Sequence, residues 1–280
     1  MKLLPLFLFV LLGTTELAYS QSTSNSLKNN SKPNLSGPVP RLNGRPDLSG
    51  VWQARRTSLD DYPPGVREGL GQLQVDYNDV TKNYINIFWG MKPEEEPLRP
   101  ETAALMAEFR KRGDDAPSSR CLPASLPGSL MILVFKMIQA PRETVVLFDD
   151  GDPARQIFTD GSSVPKDLSP SWMGYSVGRW QGDVFVVETS GFNNQSTIDG
   201  SGHPRSEGFK MTERYRRKDF GHMDLDIAME DAKYYTRPIN LHLDLTLQTG
   251  TDIYENVCTE NEKDRAHVVL TASPSASQPR

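Results

Sequence analysis

Six or more stretches in the last two thirds of this chain alternate apolar and polar residues at period two. Three of them carry a glutamate on the apolar side. The clearest is Lys210-Met211-Thr212-Glu213-Arg214-Tyr215-Arg216, where Phe209, Met211, Glu213 and Tyr215 share one parity and Lys210, Thr212, Arg214 and Arg216 the other. Successive side chains of a strand point to opposite faces, so Glu213 is expected to go where the apolar residues go. A carboxylate on a buried face is costly unless paired or protonated, so it marks an ion-pair network or an active site. The fold implied is mainly β, with a partly polar interior.

Strands are predicted at about 130–139, 143–149, 154–159, 174–181, 183–190, 206–217, 222–230, 239–249 and 252–259, preceded by one opening at Pro46-Asp47-Leu48-Ser49-Gly50-Val51-Trp52. Short turns such as Gln181-Gly182-Asp183 and Asp150-Gly151-Asp152-Pro153 require antiparallel neighbours. About nine such strands suffice to close a meander into a barrel without exposed edges. One short helix is expected on the N-terminal flank. Pro100 suits its first position, Leu105, Met106 and Phe109 form its stripe, and Gly113 ends it. Of residues 60–99, only Tyr84 to Trp89 looks able to bury itself.

The first twenty residues read as a signal peptide: Lys2, the apolar run Leu3 to Leu12, then Ala18-Tyr19-Ser20 as a cleavage site. The organisation expected is signal peptide 1–20, disordered leader 21–45, one barrel domain 46–264 and a flexible tail 265–280. Export to the periplasm or beyond is implied, with no membrane association after cleavage. Cleavage would remove one basic residue (Lys2) and one acidic residue (Glu16), so the net charge of −5 is unchanged. That mild acidity argues against nucleic acid as a partner. Cys121 and Cys258 are the two cysteines, and in an oxidising compartment a disulfide is favoured over two separate thiols.

Gly50-Val51-Trp52 ahead of an antiparallel meander resembles the Gly-x-Trp opening of lipocalin-like barrels. Lipocalins also lay an arginine from their last strand over that tryptophan. The final strand here offers none, and Arg265 lies beyond it. The chain is also similar to a large set of exported, mostly uncharacterised bacterial proteins. The shared phrases are Pro46 to Trp52, Arg155-Gln156-Ile157-Phe158-Thr159-Asp160-Gly161, Ser171 through Trp180, Gly202-His203-Pro204 and Asn261-Glu262-Lys263-Asp264. This resemblance spans most of 46–264 and brings no established activity with it.

The leading candidate site is the loop Asp199-Gly200-Ser201-Gly202-His203-Pro204-Arg205-Ser206-Glu207. His203 could act as acid or base, with Asp199 or Glu207 accepting its second ring proton, and Glu213 lies on the strand that follows. The ordinary alternative is a histidine that only satisfies a loop. Arg179, sharing parity with Tyr175 and Val177, is expected to be the buried cation. Glu188 and Glu255 sit among apolar same-parity neighbours, where salt bridges to Arg179 or Arg214 compete with catalysis. Trp172, Tyr175 and Trp180, with Asn193 and Asn194 nearby, could line a pocket for a sugar or ring-bearing molecule, core packing being the plainer reading of Trp180.

A metal on His203, Glu207 and His222 is weighed and not favoured, for lack of ligand spacing on one element, and His222 and His242 read as surface. No serine-hydrolase elbow, P-loop or dinucleotide fingerprint occurs, and no cofactor is called for. The reading is an exported enzyme using acid–base chemistry on a small organic molecule or glycoside at a barrel mouth, as a lyase, isomerase or hydrolase. A lipocalin-like carrier of an apolar ligand is the alternative.

Overall fold

A computed structural model of the chain describes residues 34–54, 86–88, 91–112 and 121–258. The expected signal peptide, the leader up to residue 33 and the tail lie outside the described residues, as do Tyr84, Ile85, Trp89 and Gly113. A small hairpin of β1 (Arg41–Leu42) and β2 (Arg45–Pro46) comes first. It is followed by β3 (Gly50–Ala54), helix α1 (Pro100–Arg112) and helix α2 (Gly128–Ile132). The rest is strand: β4 (Val134–Gln139), β5 (Glu143–Phe148), β6 (Arg155–Phe158), β7 (Tyr175–Gln181), β8 (Val184–Ser190), β9 (Lys210–Arg217), β10 (His222–Glu230) and β11 (Ile239–Leu247).

Among the described residues the nine strands β3 to β11 close a barrel in which each neighbours the next in sequence, and β11 returns to β3. This is the mainly β, lipocalin-like barrel that the alternation implied. One feature departs from a pure antiparallel meander: β6 and β7 run parallel, pairing Ile157 with Ser176 and Phe158 with Val177. An odd ring of strands cannot alternate direction all the way round, so at least one neighbouring pair must be parallel. The connection 159–174 is long enough for the crossover that such a pair needs.

Several boundaries differ from the sequence reading, among them the predicted strand 206–217, which begins only at Lys210. The predicted strand 130–139 begins as α2, and its strand starts only at Val134. Residues 252–258 form no strand, because β11 already pairs with both β10 and β3 and the closed barrel leaves no edge to extend. They run as an exposed strap held by Lys136 Nζ on Asp252 Oδ1 (2.7 Å), Asn256 Nδ2 on Asp150 Oδ1 (2.8 Å) and the Cys121–Cys258 disulfide. Residues 34–45, expected to be disordered, are tied to the barrel by Phe220 N donating to Gly37 O (3.0 Å) and by the exposed Arg41–Asp183 pair. In α1, Met106 is buried as expected while Leu105 is exposed.

The inward face of each strand carries the core: Phe135 and Met137 on β4, Phe185 and Val187 on β8, Met223, Leu225, Ile227 and Met229 on β10, Leu241 to Leu245 at alternate positions on β11. Gly178 stands on the inward face of β7, where an added Cβ would lie 2.5 Å from Phe185 and 2.8 Å from Ile157. At that level the lumen is filled by side chains. Gly182 takes a positive φ of 60° in the two-residue β7–β8 turn, the conformation a tight hairpin demands of its first loop residue.

Trp52 is fully buried, its Nε1 donating to Leu48 O (2.9 Å). An arginine does cover it, although not from the last strand. Arg217, at the end of β9, lies 5.0 Å from the ring centroid and donates to the carbonyls of Asp47, Asp219 and Phe220. Burial lowers its proton affinity, with the Asp47 and Asp219 carboxylates opposing that effect. Arg217→Ala is expected to cost on the order of 2 kcal/mol, combining a lost cation–π contact with stranded carbonyls. Urea unfolding of the two proteins measures it.

Candidate functional site

Glu213 is on the inward face of β9 and fully buried, and its partner is Arg155 of β6. Arg155 Nη1 donates to Glu213 Oε1 (2.9 Å) and Nη2 to Oε2. Arg155 Nε also donates to Ser176 Oγ (3.0 Å) and Nη2 to Thr189 Oγ1 (2.8 Å), while Tyr215 Oη donates to Glu213 Oε1 (2.6 Å). Burial by itself would lower the proton affinity of Arg155, but Glu213 outweighs it and the net effect is a rise. Burial, then the Glu213 charge, hold the Tyr215 phenol well above its usual range. Every polar group here has a partner, so the cluster reads as a structural network rather than a reactive group facing a substrate.

Arg179 is not the buried cation. The inward residues of β7 are Ser176 and Gly178, which puts Tyr175, Val177 and Arg179 outside. There Arg179 is half exposed and pairs with Glu188, Nη1 to Oε2 at 2.9 Å and Nη2 to Oε1 at 2.6 Å. The hydrogen bonds from Arg179 are the main reason that the Glu188 carboxyl lies below its ordinary range. Glu188 itself faces out because β8 presents Phe185, Val187 and Thr189 inward. Glu255 is exposed on the strap. Tyr175 is half-buried on the outer wall, stacked on Phe158 with centroids 4.9 Å apart.

Trp172 and Asn193 do meet, but around Arg205, a residue of the candidate loop to which the sequence reading gives no role. Arg205 is buried and donates to Asn193 O (3.1 Å), Leu126 O (2.8 Å) and Trp172 O (3.3 Å), with its guanidinium 4.7 Å from the Phe192 centroid. Burial without a carboxylate partner lowers its proton affinity to about 9, so it remains charged at neutral pH. It clasps three loops. Asn194 is exposed, and Trp180 packs partly buried against Phe185.

The His203 loop is where polar groups converge. Between β8 and β9 the chain doubles back through a Thr197–Pro204 bridge, with Ile198 N donating to His203 O (2.8 Å). Gly202 adopts a φ of 88°, which lets the next residue swing back onto Asp199. His203 N donates to Asp199 Oδ1 (3.1 Å), and His203 Nδ1 lies 2.6 Å from Asp199 Oδ2. A third donor, Ile87 N, reaches Oδ2 at 2.7 Å. Phe88 packs edge-on against the imidazole at 4.8 Å, and Tyr235 Oη donates to Pro204 O (2.6 Å). Glu207, the other residue expected to orient His203, is exposed.

His203 Nε2 is buried and has no hydrogen-bond partner among the described residues. Glu96 Oε2 lies 3.9 Å from it. Glu96 is held there because its neighbours are pinned to the segment after β10: Arg99 N to Tyr234 O (3.0 Å) and Thr236 N to Pro97 O (2.8 Å). A ring proton on Nδ1 is the one that the Asp199 carboxylate can accept, and a ring in that tautomer has its Nε2 lone pair on the side of Glu96. The site is thus Asp199, His203 and Glu96 beside Phe88, with Glu213 and Arg179 elsewhere.

Among the described residues His203, Glu207 and His222 form no donor cluster: His203 is buried, Glu207 is exposed, and His222 is bonded to Asp219 (2.8 Å). On the outer wall Asp224, His242 and Asp244 do come together, but Lys218 Nζ already lies 2.6 Å from Asp224 and 3.1 Å from Asp244 and supplies the positive charge. No family model matches this chain, and neither a curated protein nor a solved structure matches it.

Proposed function

We propose that this protein is an exported enzyme that acts on a small organic molecule by acid–base chemistry, with His203 as the proton-transfer group and Asp199 as its positioning residue. The observation that carries this reading is the buried Nε2 of His203, which has no hydrogen-bond partner among the described residues and lies 3.9 Å from Glu96 while Nδ1 meets Asp199. A buried polar atom without a partner costs on the order of 1–3 kcal/mol, and functional sites are where such costs are retained. Glu213 is not part of the site in this reading.

The dispersal of His203, Glu213 and Arg179 favours a second reading, a lipocalin-like carrier of an apolar ligand. Packing of Phe185 and Ile157 over Gly178 weighs against it, since a carrier needs an open apolar lumen. A turnover screen separates the two. Mixtures of uncharged esters, lactones, amides and glycosides are incubated with wild type, His203→Ala and His203→Asn, and products are read by mass spectrometry. Turnover by wild type that falls at least ~100-fold in both variants, at unchanged melting temperature, supports the enzyme. Equal turnover in all three proteins, or none in any, rejects it.

A further inference from the structure

The pair of acceptors at the site points to the reacting group. With the ring proton on Nδ1 against Asp199, His203 Nε2 and the Glu96 carboxylate are both acceptors, and they are 3.9 Å apart. That is too far for a bond between them. An oxygen carrying two hydrogens, about 2.8 Å from each, would span the gap with an angle of about 90° at the oxygen, within the range a hydrogen-bonded water tolerates. A metal ion at about 2.1 Å from both would need an angle near 140°, far from tetrahedral. Water donating to both acceptors keeps its own lone pairs free, as a nucleophile requires.

The surroundings narrow the electrophile. Among the described residues, the groups placed against His203 are Asp199, Glu96 and Phe88, two carboxylates and an apolar ring. Anionic substrates such as phosphate or sulfate esters would be repelled. Glycosides need two carboxyl groups flanking the scissile bond, and here Asp199 is engaged by three N–H groups. An uncharged acyl compound meets neither obstacle and suits a water nucleophile.

We infer that the site is a hydrolase centre in which water held between His203 Nε2 and Glu96 attacks an uncharged ester or lactone. This rests on the acid–base reading above. Nε2 takes one proton from water as its oxygen bonds to the carbonyl carbon, and the C=O π pair moves onto the carbonyl oxygen. Collapse of the tetrahedral intermediate re-forms C=O and breaks the bond to the alkoxy oxygen, which receives the proton from the imidazolium. Acid and alcohol result, with no other reactant. Glu96, which retains some exposure where His203 has none, marks the side from which substrate approaches.

The test uses the full mature chain, p-nitrophenyl acetate and γ-butyrolactone as probes, and the turnover screen run in parallel. Reaction in ¹⁸O-enriched water should place one label in the acid product, and Glu96→Gln should lower kcat by about tenfold with the same melting temperature, because one of two acceptors is lost. Esters and lactones turned over without label, or Glu96→Gln equal to wild type, would overturn the water assignment. Turnover confined to amides, glycosides or isomerised products would overturn the acyl-ester assignment and leave the acid–base reading standing. Absence of any turnover removes both.

Discussion

Glu213→Gln is expected to cost about 3–5 kcal/mol of folding stability, because it strips the counter-charge from a guanidinium sealed inside the barrel. Arg155 and Glu213 are 1% and 0% exposed, so neither can turn to water when its partner is neutralised. The amide would still fill the space and could still accept one hydrogen bond, so the loss measures charge rather than volume. Urea unfolding at neutral pH reads it directly, and a loss below about 1 kcal/mol would mean that water enters the lumen. Restoring balance by a different route should recover most of the deficit. Arg155→Met, Glu213→Leu and Tyr215→Phe together replace the network by apolar packing, an exchange that is often neutral or better for buried pairs. Ser176 and Thr189 keep each other as partners at 3.0 Å, so little is stranded.

The same residues show what the sequence made legible. Alternation located β9, β10 and β11 because one face of each is wet, and the period survives in the text of the chain. It failed at β8, where Val184 and Val186 outside are as apolar as Phe185 and Val187 inside, so Glu188 was put on the wrong face. The partner of Glu213 was within reach: Arg155 shares parity with the buried Ile157 on β6, the argument that found Glu213 itself. Gly128-Ser129-Leu130-Met131-Ile132 is too short an apolar run for periodicity to separate helix from strand. Glu96 left no signal at all. It follows Glu94 and Glu95 in a charged stretch, and only the pairing of residues 97–99 with 234–236 brings it to His203. Asp199 was legible because Gly200 and Gly202 announce a chain that folds back on itself within four residues.

Cutting the Cys121–Cys258 link is expected to cost about 4–5 kcal/mol, although few native contacts depend on it. The loop it closes, with a sequence separation of 137, contains α2 and every strand from β4 to β11, so the crosslink restrains almost the whole unfolded barrel. Among the described residues of the folded protein it secures the strap 251–258, which is exposed along nearly all its length and also rests on surface pairs such as Lys136–Asp252. Surface pairs of that kind contribute little, so the stabilisation must act mainly through the entropy of the unfolded chain. Two signatures follow. Cys258→Ser should unfold at lower urea with a larger dependence on denaturant, since its unfolded state is less compact. Its barrel spectrum by circular dichroism should match wild type before the transition. A midpoint unchanged both in Cys258→Ser and in reduced wild type would show that the unfolded chain gains no freedom when the loop opens, against the entropic account.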